Sequence, residues 1–229
     1  MRARLIQSQE IGPDVRHFYF DVPQTHALDF TPGQFVSFSQ TVLGREVTRA
    51  YSICSAPNGN RFELCLNRVK DGLLSPWLFE MPPGDSVEMT GPLGSFVPRQ
   101  PFSDSVLIAT GTGVAPFRSF LRWPPVIESG RRITLLFGAR YPQSLVYREE
   151  FEALASTQLN FQFLPTITRP DAEYRGRMGW VQQHLDEALD GRLDVEIYIC
   201  GLREMVDSVR ALLKEKGFVR TQIHSERYD

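Results

Sequence analysis

Ser105-Val106-Leu107-Ile108-Ala109-Thr110 runs directly into Gly111-Thr112-Gly113-Val114-Ala115-Pro116, and Phe117-Arg118-Ser119-Phe120-Leu121-Arg122 follows. An apolar run, a turn of small residues and a helix-forming stretch, in that order, read as strand, bare-backbone turn and helix start. Such a turn lets the main chain approach an anion closely, and the helix start offers unpaired N–H groups and the positive end of its dipole. The spacing is not the Gly-x-Gly-x-x-Gly of the usual dinucleotide fingerprint, so the segment alone reads equally as a phosphate cradle or as a plain tight turn.

Working outward, the chain has two different periods. From Val106 onward strands at 105–110, 133–138, 161–167, 195–200 and 221–225 alternate with helical stretches at 115–122, 145–156, 180–189 and 204–216. This alternation predicts a parallel sheet with right-handed crossovers. Ligands of such sheets bind beyond the carboxyl ends of the strands, where the Gly111–Gly113 turn and Cys200-Gly201 both fall. Up to about Val97 the pattern is instead short β-branched and aromatic runs at 2–10, 15–22, 34–40, 46–55, 61–69 and 85–90, with one short helix at 74–80, which predicts an antiparallel barrel or sandwich. Asn58-Gly59 predicts a hairpin whose two central residues take positive φ. Gly91-Pro92-Leu93-Gly94 closes this half, and Pro98 and Pro101 punctuate the crossing. The expected fold is two-domain β + α/β, with an antiparallel β-barrel over residues 1–100 and a parallel-sheet α/β domain over 101–229.

Composition narrows the function. Lys and Arg number 25 against 27 Asp and Glu, a net charge of −2 with no long run of one sign, which leaves no basic field for nucleic acid. Almost all the positive charge is arginine, a side chain suited to phosphate and carboxylate. Cys54, Cys65 and Cys200 are odd in number and scattered, as are His17, His26, His184 and His224, so neither a disulfide framework nor a metal site is predicted. No run approaches the ~20 apolar residues of a membrane span, and a reduced, cytoplasmic setting is expected.

Arg49-Ala50-Tyr51-Ser52 follows a turn in a strand-like segment. Alternation puts Arg49 and Tyr51 on one side, where a ring can stack on a π-system and a guanidinium can grip a diphosphate. A rim aromatic beside a surface charge is the plain alternative.

Five segments in order, Arg49-Ala50-Tyr51-Ser52, Gly72-Leu73-Leu74-Ser75-Pro76-Trp77-Leu78, Gly111-Thr112-Gly113-Val114-Ala115-Pro116, Cys200-Gly201-Leu202 and Glu226-Arg227-Tyr228, resemble the ferredoxin–NADP⁺ reductase family over nearly the whole chain. The resemblance implies a flavin-binding antiparallel barrel followed by a nicotinamide-binding α/β domain. On it, Tyr51 stacks on the isoalloxazine, Arg49 reaches the flavin diphosphate, and Ala50 and Ser52 complete the segment, with Ser52 near flavin N5. Leu66, Asn67, Arg68 and Val69 resemble the strand along the ribityl and diphosphate, although alternating apolar residues there serve equally as barrel core. Gly72, Leu74 and Ser75 resemble the turn whose N–H groups hold the diphosphate. Gly111, Thr112 and Gly113 cradle the nicotinamide dinucleotide, with Pro116 at the helix start, and Cys200 and Gly201 lie beside the nicotinamide; a buried strand-end cysteine is the plain reading of Cys200. Glu226 and Tyr228 fit the family's Glu-x-Tyr tail, and the chain departs from the family in carrying Asp229 after Tyr228. Ser52, Cys200 and Glu226 are the implied catalytic positions.

Two cofactors are therefore implied, FAD and NADP or NAD. The second α/β strand ends at Arg140 without an acid to grip a ribose diol, Thr168-Arg169 ends the third and resembles the family's Ser-Arg pair, and Arg177 lies just beyond; together they favour a 2′-phosphate, while a solvated basic loop is the alternative. The implied activity is hydride transfer between NAD(P)H and bound FAD, then single electrons to a separate protein such as ferredoxin, flavodoxin or an oxygenase component. A reductase releasing free reduced flavin and an electron-transfer subunit of a larger complex remain the alternatives.

Overall fold

The computed structural model describes residues 1–228. By contacts the chain divides into two compact units, Met1–Pro98 with Ala115–Pro124, and Arg99–Val114 with the chain from Pro125 onward.

In the first unit β1 (Arg2–Gly12), β2 (Val15–Asp21), β3 (Phe35–Val42), β4 (Arg45–Ser52), β5 (Arg61–Asn67) and β6 (Ser86–Leu93) form one antiparallel sheet in the order β4-β3-β6-β1-β2-β5. An isolated bridge between Ile53 and Leu64 joins the two end strands, closing the barrel immediately after β4. Alternate residues fill it: Phe20 packs on Phe38 and Phe62 at ring separations of 5.1 and 5.5 Å. The short α1 (Leu74–Glu80) buries Leu74, Leu78 and Phe79.

Turn chemistry differs from expectation. The two-residue hairpin with positive φ at both centres is Leu43-Gly44, at φ 49° and 73°, joining the Val42–Arg45 pair. At the other candidate the Arg61 N–H donates to the Asn58 carbonyl at 3.1 Å, so the central residues are Gly59 and Asn60, and only Gly59 has positive φ. Leu43 is 88% exposed, and no turn propensity selects it; strand register imposes the turn there.

α2 (Ala115–Leu121) groups with this first unit. Its Phe117 and Phe120 rings lie 5.9 and 6.0 Å from Phe96. Gly33 admits this packing because a Cβ there would stand 2.0 Å from the Phe96 carbonyl oxygen and 2.6 Å from the Phe120 ring.

The second unit is a six-stranded, wholly parallel sheet of β7 (Ser105–Thr110), β8 (Ile133–Ala139), β9 (Phe161–Ile167), β10 (Arg177–Met178), β11 (Glu196–Leu202) and β12 (Ile223–Tyr228), ordered β10-β9-β8-β7-β11-β12. Burial of every residue of β8 explains its continuous apolar run. Between strands lie α3 (Pro124–Ile127), α4 (Arg148–Thr157), α5 (Leu185–Leu189) and α6 (Arg203–Glu215). α6 inserts Met205, Val206, Val209 and Leu213 into the core. The strand order reverses between β7 and β11, making their carboxyl ends the topological switch point.

β10 and α3 were not expected from the sequence, and three expected elements take a different form. α4 starts at Arg148, because the chain first makes a 3₁₀ turn at Pro142–Ser144 and Tyr147 takes φ 59°. The stretch expected as one helix at 180–189 is a 3₁₀ turn, Val181–His184, leading into α5. The Glu226-Arg227-Tyr228 tail is strand, paired with Cys200, Gly201 and Leu202 of β11; Asp229 lies outside the described residues. No described helix is long and apolar enough to cross a membrane.

Candidate cofactor-binding sites

In the first unit the Arg49–Ser52 segment ends β4. Arg49 is exposed, with one N–H donated to the Thr48 carbonyl at 2.8 Å. Tyr51 is half-buried against the barrel core, its ring 5.8 Å from Phe38. Burial pushes its phenol up to about 12, against a smaller opposite effect of Arg49, so the hydroxyl stays a neutral donor. Ala50 is exposed and Ser52 buried.

Leu66 is a core side chain and so is Leu74; only their backbone is available to a ligand. Asn67, Arg68 and Val69 are exposed, Val69 by 51%, an apolar surface next to the charged pair of Arg68 with Glu80 at 3.1 Å. The turn is built locally: the Gly72 N–H donates to the Val69 carbonyl at 2.9 Å and the Val69 N–H to Ser75 Oγ at 2.9 Å. A Cβ on Gly72 would sit 3.1 Å from that of Val69. The Ser75 hydroxyl oxygen thus accepts from its own turn, leaving its O–H and the backbone at the start of α1 to meet an anion. An exposed guanidinium, a half-buried ring and a tight turn at a helix start form a donor set that fits a flavin dinucleotide.

In the second unit the turn after β7 is a 3₁₀ turn, Gly111–Val114, continuous with α2. Gly111 is exposed at φ 55° with open space where a Cβ would be, while Thr112 is half-buried. Gly113 lies on β11, where a Cβ would stand 2.4 Å from the Cys200 carbonyl oxygen. A Cβ on Gly201 would fall 2.4 Å from Thr110 Oγ1, a buried hydroxyl without a hydrogen-bond partner among the described residues. The structure therefore brings the glycine turn and Cys200-Gly201 together at the switch point, beside a polar atom left unsatisfied, and the site suits a polar ligand. Pro116, the second residue of α2, is buried.

Cys200 is fully buried. Burial and the facing Glu226 push its thiol well up, and a hydrogen bond with the Tyr228 hydroxyl acts the other way. It is a protonated thiol, not a thiolate nucleophile. Glu226 and Tyr228 lie half-buried on β12, cross-strand to Cys200 and Leu202.

Arg140 and Arg169 are exposed beyond the ends of β8 and β9, tied by the Arg169 N–H to the Arg140 carbonyl at 2.8 Å. Thr168 hangs from the Ala139 carbonyl at 3.0 Å through its N–H. Arg177 stands apart from them in bonding: both its Nε and Nη2 bind Glu187, at 2.8 and 2.5 Å. Sequence reasoning missed Trp180, 63% exposed just past the end of β10, with the preceding Gly179 bonded to Ile167 of β9 at 2.9 Å. A solvent-facing indole two residues after a strand is the signal that would have found it, had β10 been foreseen.

One buried polar cluster lies elsewhere, in the first unit. Ligand atoms of His17, Cys54 and Glu63 all fall within 4.8 Å of one another. Arg118 Nη1 stands 2.7 Å from Glu63 and 3.9 Å from Cys54 Sγ, so a guanidinium already takes the cation's place.

Residues 2–97 match the oxidoreductase FAD-binding domain and residues 107–211 the oxidoreductase NAD-binding domain. Ferredoxin–NADP reductase B of Sorangium cellulosum (strain So ce56) is 39% identical, over 99% of this chain and 97% of its own length. The chain belongs to the ferredoxin–NADP⁺ reductase family. This reductase is an FAD- and NAD(P)-dependent oxidoreductase. It is 31% identical to the toluate 1,2-dioxygenase electron transfer component of Pseudomonas putida, but there it spans only 59% of the relative. Among solved structures, the ferredoxin reductase in carbazole 1,9a-dioxygenase superposes with a TM-score of 0.86 at 27% identity, over all of this chain and 69% of that one. A ferredoxin NADP⁺ reductase from Neisseria gonorrhoeae, with bound FAD and NADP, shares the fold at a TM-score of 0.85 and 24% identity, covering 99% and 98%.

Proposed function

We propose that this reductase accepts hydride from NADPH in preference to NADH and delivers electrons singly to a separate ferredoxin, with flavodoxin or an oxygenase component as the alternative acceptors. The observation that carries the reading is the packing of Gly113 onto Cys200 at the switch point, with Arg140 and Arg169 at the next two strand ends. Bound FAD and NADPH supply the hydride chemistry and the flavin's capacity to part with electrons one at a time. The chain's share is placement. Residues 1–100 supply the flavin site: Tyr51 gives a flat apolar ring, Arg49 a cation for the diphosphate, Ser52 a hydroxyl near N5, Leu66–Val69 the strand along the ribityl chain and diphosphate, and Gly72, Leu74 and Ser75 the turn that holds the diphosphate. Residues 101–229 supply the other: Gly111–Gly113 meet the diphosphate, Thr168, Arg140 and Arg169 the 2′-phosphate, Trp180 the adenine face, and Cys200, Gly201 and Glu226 the nicotinamide end. The Sorangium relative, a ferredoxin–NADP reductase by name, supports ferredoxin as acceptor, and the oxygenase electron transfer component supports the alternative. Cys54, Cys65 and Cys200 are buried thiols outside any disulfide, which supports a reducing cytoplasm.

Anaerobic stopped-flow mixing with NADPH and NADH in parallel tests the proposal. Bleaching of stoichiometric, tightly held FAD, faster with NADPH, is expected. No bleaching with either overturns it, and flavin lost on gel filtration points instead to a reductase that releases free reduced flavin.

A further inference from the structure

Resting on the flavoprotein reading, we infer that α2 sets the pose of the flavin segment, with Arg118 and Ser119 as positioning residues. The Arg49–Ser52 segment continues into Ile53-Cys54-Ser55, all buried. Two successive carbonyls of that continuation are taken by two successive side chains of α2. Arg118 Nη1–H donates to the Cys54 carbonyl at 2.9 Å, and the Ser119 hydroxyl to the Ser55 carbonyl at 2.5 Å. β5 holds the opposite side, since the Cys54 N–H donates to the Glu63 carbonyl at 2.9 Å and the Glu63 N–H to Ser55 Oγ at 3.1 Å. The Glu63 carboxylate then returns to Arg118 Nη1 at 2.7 Å. Cys54, Arg118 and Glu63 thus form a closed ring of hydrogen bonds, and the Cys54–Ser55 and Ser55–Ala56 peptide planes are held by α2.

A helix that needed only to pack would present apolar residues, as α2 does with Phe117 and Phe120. Burying a guanidinium and a hydroxyl has a desolvation cost, and its return is geometric: a planar fork and a single O–H fix directions that apolar contact leaves free. Since β3 holds the segment upstream, through the pairs Val36 with Tyr51 and Phe35 with Ser52, the orientation of Tyr51 and Ser52 is set from both ends.

Ser119→Ala, Arg118→Met and Arg118→Lys in the full-length protein test this, beside Val87→Ala, a core truncation on β6, as a reference for simple destabilisation. FAD affinity by flavin fluorescence, visible circular dichroism of the bound flavin and melting temperature are read together. Ser119→Ala is expected to weaken FAD about fivefold and to alter the flavin dichroism, and Arg118→Met to do more, at a melting-temperature loss that leaves Val87→Ala unaffected in both flavin readouts. Arg118→Lys recovers stability by keeping a charge beside Glu63, yet leaves FAD weakened because an ammonium lacks the planar fork. Wild-type affinity and dichroism in Ser119→Ala overturn the inference even if Arg118→Met does not fold. A wild-type chain that binds no FAD overturns the flavoprotein reading, and this inference with it.

Discussion

Glu63 is a carboxylate pulled in two directions. Burial raises it, but hydrogen bonds from His17 and Arg118 and the charge of Arg118 prevail, bringing it from an ordinary 4.5 to about 2. A depressed carboxylate contributes stability that is whole above the unfolded value and lost as pH falls toward the folded one. Glu63→Gln is therefore expected to cost about 3 kcal/mol near neutrality, by removing the counter-charge that faces a buried guanidinium, and progressively less between about pH 4.5 and 2; urea titrations across that range check it, and a pH-independent deficit would contradict it. The proposed 2′-phosphate site sets a second test, at Arg169. Its guanidinium is exposed beside Tyr141 Oη at 3.5 Å, whereas Arg177 is committed to Glu187. Arg169→Ala should raise KM for NADPH about tenfold with little change for NADH, as steady-state kinetics would show, while Arg177→Ala should separate the two coenzymes less. The arginines were legible in the sequence as a basic group, but which of them carries a partner was not, because Glu187 lies ten residues from Arg177 and no spacing rule links a two-residue strand to a helix.

Among elements, the strands of both sheets other than β10 were readable because burial sets their pattern, alternating in β3 and β6 and continuous in β7 and β8. Ends and turns were not. Gly59 alone, rather than Asn58 and Gly59 together, takes positive φ, and the hairpin that obeys the rule carries Leu43. β10 is too short for any period to show, and Trp180 was hidden with it. α2 was readable as a helix, but not as a companion of the barrel, since that depends on Arg118 and Ser119 finding Cys54, Glu63 and Ser55 some 55 to 64 residues upstream. A fragment ending at Pro98 lacks this helix and leaves the Glu63 side of β5 uncovered. It is expected to be largely unfolded by circular dichroism in conditions where the full chain is native, and a cooperatively melting fragment that binds FAD would refute this.

At the scale of the molecule, two units with separate cores predict separable ligand responses. Hydrogen exchange read by mass spectrometry should show FAD slowing peptides over residues 49–75 and NADP⁺ slowing those over 110–114, 139–141 and 167–181. Protection by NADP⁺ confined to the barrel peptides would contradict the assignment of the second unit. The order of motifs along the chain made the two-cofactor architecture readable before any coordinate, because each motif needs only its own strand end; the cross-unit bookkeeping of the chain did not follow from order at all.

The chain passes from one unit to the other at 98/99, 114/115 and 124/125, not once. For recombination between relatives this means that no single breakpoint separates the halves. A nicotinamide-binding half inherited from another gene arrives with its own version of residues 115–124, whose positions 118 and 119 must suit the recipient's Cys54, Ser55 and Glu63. Compatible exchange therefore selects for co-inheritance of a ten-residue insert with the half it does not adjoin in sequence, and designed chimaeras that respect all three crossover points should survive where single-crossover ones fail.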